Sequence, residues 1–129
     1  MLKKLIGLIT IVLVFQPFGM GEEKIIIAVA SDEDTLNAAV SETAGRCPYF
    51  IIVDSKGNLL EAAENPYKDA RGSAGVSAAN FLAEKNVTIV VARNCGSKMK
   101  GSLEAQEIAY FKFEGTGEEA IKKILEDKG

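Results

Sequence analysis

Two cysteines are the only thiols of this chain, and no histidine accompanies them. Cys47 stands in Gly45-Arg46-Cys47-Pro48, just ahead of the apolar run YFIIVD. Cys95 stands in Arg93-Asn94-Cys95-Gly96, just behind the apolar run VTIVVA. A thiolate is a soft ligand suited to copper(I), zinc and iron–sulfur centres. Arg46 and Arg93 are expected to favour the thiolates and to offset the charge of an anionic cluster. Two thiolates do not close the four-ligand site of structural zinc or of an iron–sulfur cluster. They suit a two-thiolate copper(I) site, or an anionic thiomolybdate-type cluster held partly by backbone N–H groups. The residues leave three readings of the pair open: a structural disulfide, metal or cluster ligation, and unrelated buried thiols. No Cys-x-x-Cys spacing supports a redox-active pair.

The second candidate is the turn Gly72-Ser73-Ala74-Gly75. A glycine turn feeding a helix start offers unsatisfied N–H groups and the positive end of the helix dipole to an anion. Arg71 would be the counter-charge. The G-x-x-x-x-G-K-[ST] phosphate loop is absent. Without histidine, neither a Ser–His–Asp nor a Cys–His set can form, which disfavours an enzyme. Asp32, Asp34, Glu42 and Asp54 do not promise the converging carboxylates of a two-metal nuclease. A net charge of −3 with no basic block gives no footprint for nucleic acid.

These groups need a scaffold. At 129 residues, 47% apolar and 26% charged, the chain has the composition of one globular domain. The runs 24–30 and 87–92, apolar at every second and intervening position alike, predict strands buried on both faces. The segment 49–65 reads as a β-hairpin turning at Gly57. Val76, Ala79, Leu82 and Ala83 predict a helix capped by Ser73 and ended at Asn86. IAYFKF (108–113) predicts an edge strand. Thr116 and Glu119 have the spacing of a capping box for a last helix. The order strand, hairpin, helix, strand, helix, strand, helix is a mixed α/β layer. Strand 87–92 should lie parallel beside 24–30, with 49–54 antiparallel on its other side. Ligands of such sheets gather at the carboxyl ends of the central strands. Both cysteines then share one end, in a crevice formed by 31–34, 43–47, 71–75 and 93–97.

The first 21 residues differ. A basic MLKK, the apolar LIGLITIVLVF and QPFGMG follow the order of a secretory signal. The apolar core is short against the ~20 residues of a spanning helix. Cleavage before Glu22, an uncleaved membrane anchor and a packed helix are the three readings. The first two place residues 22–129 outside the cytoplasm, where a disulfide is permitted. Membrane contact is expected only through this segment, if uncleaved.

IAVASD, VSETAGRCPYFIIVD, ENP, GSAG, VTIVVARNCG and GTGEEAI, in this order, resemble the dinitrogenase iron–molybdenum cofactor biosynthesis family over residues 24–127. The resemblance implies an RNase H-like three-layer α/β fold, a five-stranded mixed sheet with flanking helices. It also implies non-catalytic binding of a metal–sulfur cluster or its precursor. Family members usually carry SEHFGR where this chain has Ser41-Glu42-Thr43-Ala44-Gly45-Arg46, so Thr43 replaces a histidine that could touch a cluster. That departure and the leader point away from nitrogenase maturation.

The expected function is therefore binding or carriage of an anionic metal–sulfur cluster (molybdenum- or iron-containing), or of a soft metal such as copper, outside the cytoplasm. Cys47 and Cys95 would be the ligands. Arg46, Arg93 and the Gly72, Ser73 and Gly75 amides would compensate charge, with Ser31, Asp32 and Gly96 completing the crevice. The alternative is a disulfide-stabilised interaction domain without cofactor. A protein partner in metal delivery and a homodimer through IAYFKF are the expected associations.

Overall fold

The computed structural model describes residues 24–128, so the expectations for residues 1–21 lie outside the described residues. Strands β1 (Ile27–Ser31), β2 (Tyr49–Val53) and β3 (Leu59–Glu64) precede helix α1 (Ala74–Glu84). Strand β4 (Ile89–Ala92), helix α2 (Ser97–Ala105), strand β5 (Ala109–Lys112) and helix α3 (Gly117–Lys128) follow. The five strands form one sheet in the order β3-β2-β1-β4-β5. β1 is antiparallel to β2 and parallel to β4; β5 is parallel to β4 and forms one edge. The α/β architecture and the placement of each strand match the sequence-based expectation.

The two-sided apolar strands explain the layering. Successive side chains of a strand point to opposite faces. Ala28, Ala30, Phe50, Ile52, Val90 and Ala92 pack on one face with Ala78, Leu82 and Leu103 of α1 and α2. Ile27, Val29, Ile51, Val53 and Val91 pack on the other with Ala120, Ile121 and Ile124 of α3. Each fully buried Leu, Ile or Phe contributes roughly 1.5–3 kcal/mol, which is why β1 and β4 hold the centre.

Local signals act where the sequence put them. Thr116 N–H donates to Glu119 Oε1 (2.9 Å) and Glu119 N–H to Thr116 Oγ1 (3.2 Å), a reciprocal capping box. Gly57 turns the hairpin at φ 84°, a conformation glycine adopts without steric cost. Helix α1 differs in detail. Its buried positions are Ala74, Ala78, Ala79 and Leu82, with Val76 only half-buried. Ser73 occupies the cap position at φ 59°, ψ 20° with no side-chain cap bond. Its hydroxyl therefore does not do what the sequence suggested.

Ile27, Val53 and Leu59 lie in one row across β1, β2 and β3. This row is one end of the sheet; Ser31 and Tyr49 mark the other. The sites of interest sit at the second end.

Candidate anion-binding cleft

Beyond Ser31 the chain turns back through 41–47 and wedges itself between the ends of β1 and β4. Ser41 N–H donates to Ala30 O (2.7 Å), Arg93 N–H to Ser41 O (3.0 Å), and Ala44 N–H to Asn94 O (3.1 Å). Buried Asn65, from the ENP segment, fixes this wedge from beneath. Its Nδ2 donates to Gly45 O (3.0 Å) and Cys47 O (2.9 Å), while its Oδ1 accepts from Tyr67 N–H (3.0 Å). Above the wedge lies a cleft of about 420 Å³, walled by 43–46, the start of α1 and the start of α2.

Those two starts are alike. The first N–H bonded inside α1 is that of Ser77, to Ser73 O (2.9 Å); inside α2 it is that of Lys100, to Gly96 O (2.9 Å). The N–H groups of Ala74, Gly75 and Val76, and of Ser97, Lys98 and Met99, have no acceptor within their helices. Neither helix has a side-chain cap. All six of these residues line the cleft. Two positive helix ends thus meet in one concavity, with the exposed Lys98 and Arg46 at its walls. Among the described residues no group of three or more Cys, Asp, Glu or His could hold a metal ion.

Glycines allow the walls to meet. A Cβ at Gly75 would lie 2.8 Å from Met99 Cβ, and one at Gly45 would lie 3.1 Å from Gly75 Cα. The left-handed Ser73 sets the entry of α1 into this contact.

A model of the dinitrogenase iron-molybdenum cofactor family matches residues 23–127. The chain belongs to that family. A comparison with curated protein sequences gives no match. Among solved structures, the chain is similar to the apo form of the orange protein of Desulfovibrio gigas. That likeness has a TM-score of 0.76 at 25% identity, over 84% of this chain and 92% of the other. A NifB-like protein of Thermotoga is 34% identical with a TM-score of 0.68, over 79% of this chain and 88% of that one. A dinitrogenase-like protein of Methanocaldococcus jannaschii, 17% identical with a TM-score of 0.59, shares the fold, over 83% of this chain and 93% of its own.

Within this family's fold, the cleft gathers only some of the sequence-nominated residues. Arg46, Ser73, Gly75 and Gly96 line it, together with Thr43. Ser31, Asp32, Gly72, Arg93 and both cysteines are not among its lining residues. Ser31 is buried, its hydroxyl donating to Glu33 O (2.6 Å). Asp32 and Gly72 are exposed outside the cleft, and Arg93 is half-buried. Arg46 lines the wall, yet its Nη1 donates to Ala70 O (2.6 Å) and so is partly engaged.

The thiols correct the sequence reading most. Both are free, so the disulfide of the alternative reading is not formed in this structure. Cys47 belongs to the core at 1% exposure, its Sγ donating to Ala44 O (3.5 Å). Burial pushes this thiol up to about 12, against an ordinary 9.0. Cys95 is half-buried; burial raises it too, and Lys100 partly opposes that. The neighbouring arginines were expected to favour thiolates, but desolvation is the largest influence on both sulfurs, and Arg46 sends its guanidinium to Ala70 O instead.

Cys47 therefore makes stability pH-dependent in a calculable direction. Below about pH 9 the thiol is protonated in folded and unfolded chains alike. Between 9 and 12 only the unfolded chain loses the proton, so stability falls by about 1.4 kcal/mol per pH unit from this group. Urea denaturation between pH 8 and pH 11 should give a shallower slope for Cys47→Ala than for the unmodified chain. Equal slopes would contradict the burial of this thiol.

Lys98 escaped sequence reading because the NCGSKMK stretch was weighed for its thiol. The usable signal was Gly96-Ser97 directly after a buried strand and before a helix, the same glycine-led start as Gly72-Ser73.

Proposed function

We propose that the cleft binds and carries an anionic metal–sulfur species, of molybdenum or iron, without catalysing a reaction on it. What supports this reading above all is the meeting of two uncapped helix starts and Lys98 in one cleft. The family membership supports the class of cargo. Family members usually place a histidine at the position of Thr43; here the wall offers a hydroxyl, backbone N–H groups and cations. Such a wall suits the sulfido edges of a preformed anion better than a bare cation, which would want several anionic ligands. The cargo would be held as a unit, its charge offset by Lys98, Arg46 and the six N–H groups. Cys95, next to Gly96 on the rim, would be an auxiliary thiol and Cys47 a packing residue. We place the domain outside the cytoplasm on the basic-apolar-polar order of residues 1–21, with a protein partner delivering or receiving the cargo.

The test is a titration with tetrathiomolybdate, a coloured anion, followed by visible absorbance at low and high salt. One equivalent should bind. Lys98→Glu should weaken binding about tenfold or more at low salt, with a smaller difference at high salt. Cys95→Ser should leave affinity within about twofold. If Cys95→Ser abolishes binding while Lys98→Glu does not, thiolate ligation replaces anion capture as the mechanism.

A further inference from the structure

The segment 68–72, between the ENP turn and α1, is anchored at its ends and loosely held between them. Tyr67 packs edge-on against Phe81 of α1, with ring centroids 6.3 Å apart, and buried Ala74 begins the helix. Between them Lys68, Asp69, Arg71 and Gly72 are exposed and Ala70 is half-buried. The bonds from Lys68 N–H to Asn65 O (3.4 Å) and from Ala70 N–H to Tyr67 O (3.1 Å) stay within the turn. Among the described residues, one side chain reaches the segment with hydrogen bonds from elsewhere in the fold. Arg46 Nη1 donates to Ala70 O (2.6 Å) and to Lys68 O (3.4 Å).

Arg46 also lines the cleft. A guanidinium carries five N–H donors in one rigid plane. The two on Nη1 serve the segment, and those on Nε and Nη2 have no acceptor among the described residues. The same group can therefore hold the segment on one edge and an anion on another. We propose that Arg46 joins the cleft to segment 68–72, so that an anion in the cleft tightens the segment. The segment is then the surface by which a protein partner tells the loaded carrier from the empty one. This inference rests on the anion-carriage reading of the cleft. In the empty chain two neutral carbonyls hold an exposed guanidinium, and the segment opens readily. A bound anion adds charge-assisted bonds that fix the guanidinium, and through its plane the two carbonyls. The anion gains more from a fixed Arg46 than from a swinging one, and that difference shifts the equilibrium of the segment. The charged side chains of Lys68, Asp69 and Arg71 are then presented in one arrangement only when cargo is aboard.

Trypsin reads the segment directly, because Arg71–Gly72 is an exposed bond within it. Cleavage of the full chain at that bond is timed by fragment mass, with and without saturating tetrathiomolybdate, while visible absorbance reports occupancy. Loading should slow this cut about fivefold or more. The cut after exposed Lys56, in the hairpin turn at the other end of the sheet, should keep its rate. Arg46→Ala should speed the Arg71 cut about fivefold with no anion present. Arg46→Lys keeps the charge without the fork, so it should bind the anion within about tenfold yet lose the protection. A loaded chain cut at the unloaded rate would overturn the inference and leave anion carriage standing. Protection that persists in Arg46→Lys would overturn it in favour of direct shielding by the anion. An unloaded Arg46→Ala chain cut at the unmodified rate would overturn it because the segment is then held by other means. Absence of anion uptake would overturn the carriage reading and this inference with it.

Discussion

Asn65→Ala should lower the stability of the fold by about 3 kcal/mol and weaken anion binding with it. The side chain is 2% exposed and uses both ends of its amide. Its Nδ2 serves two carbonyls, of Gly45 and Cys47, and its Oδ1 serves the N–H of Tyr67. Truncation leaves one buried carbonyl, of Cys47, and two part-buried groups, Gly45 O and Tyr67 N–H, without their partner, and a buried orphan costs about 1–3 kcal/mol if no water replaces it. These carbonyls belong to the loop that floors the cleft, so the loss should appear in both urea denaturation and tetrathiomolybdate affinity. Asn65→Asp separates shape from donation. It keeps the acceptor for Tyr67 but sets a carboxylate against two carbonyls, so it should be at least as damaging as alanine. A loss under about 0.5 kcal/mol in both variants, the range of ordinary surface substitutions, would mean that Asn65 does not hold the floor.

Gly75→Val should separate binding from folding. Even a Cβ at this position would stand 2.8 Å from Met99 Cβ. That atom is next to the backbone of α2 and cannot swing aside. The starts of α1 and α2 must therefore move apart, at a cost of about 1–3 kcal/mol in overpacking. Parting the two starts also pulls apart the N–H groups that line the cleft from α1 and α2. Affinity for tetrathiomolybdate should fall about a hundredfold, a larger effect than the charge reversal at Lys98. A folded Gly75→Val protein with undiminished affinity would mean that the anion binds elsewhere.

The sheet was legible because its central strands carry consecutive apolar residues, Ile27 to Ala30 and Ile89 to Ala92. That pattern only a strand covered on both faces satisfies, and Ile27–Ser31 and Ile89–Ala92 fill exactly that role within the order β3-β2-β1-β4-β5. The hairpin turn at Gly57 and the capping box of Thr116 and Glu119 were equally local, and both formed. That both cysteines sit at one end of the sheet also followed from topology alone. Their chemistry did not. Whether Cys47 faces a cleft or the core depends on the path of the 41–47 wedge. That path is set by long-range bonds from Ala30, Asn65 and Asn94. Sequence proximity to Arg46 said nothing of where its guanidinium goes, and it goes to Ala70 O. The cleft itself depends on a contact between Gly45, Gly75 and Met99, residues far apart in sequence. The glycine turn at 72–75 was read as an anion site from local pattern, and its Ser73 and Gly75 do line the cleft. Its counterpart at 96–97 has the same pattern, and only the fold brings the two together.

The most direct test of the account is to follow every backbone amide of the full-length chain by NMR during the tetrathiomolybdate titration. The account predicts that the largest shifts fall on the amides of Ala74, Gly75, Val76, Ser97, Lys98 and Met99, saturating together at one equivalent. Shifts that spare both helix starts and gather instead around Lys24, Asn86 and Glu107, at the opposite end of the sheet, would contradict it.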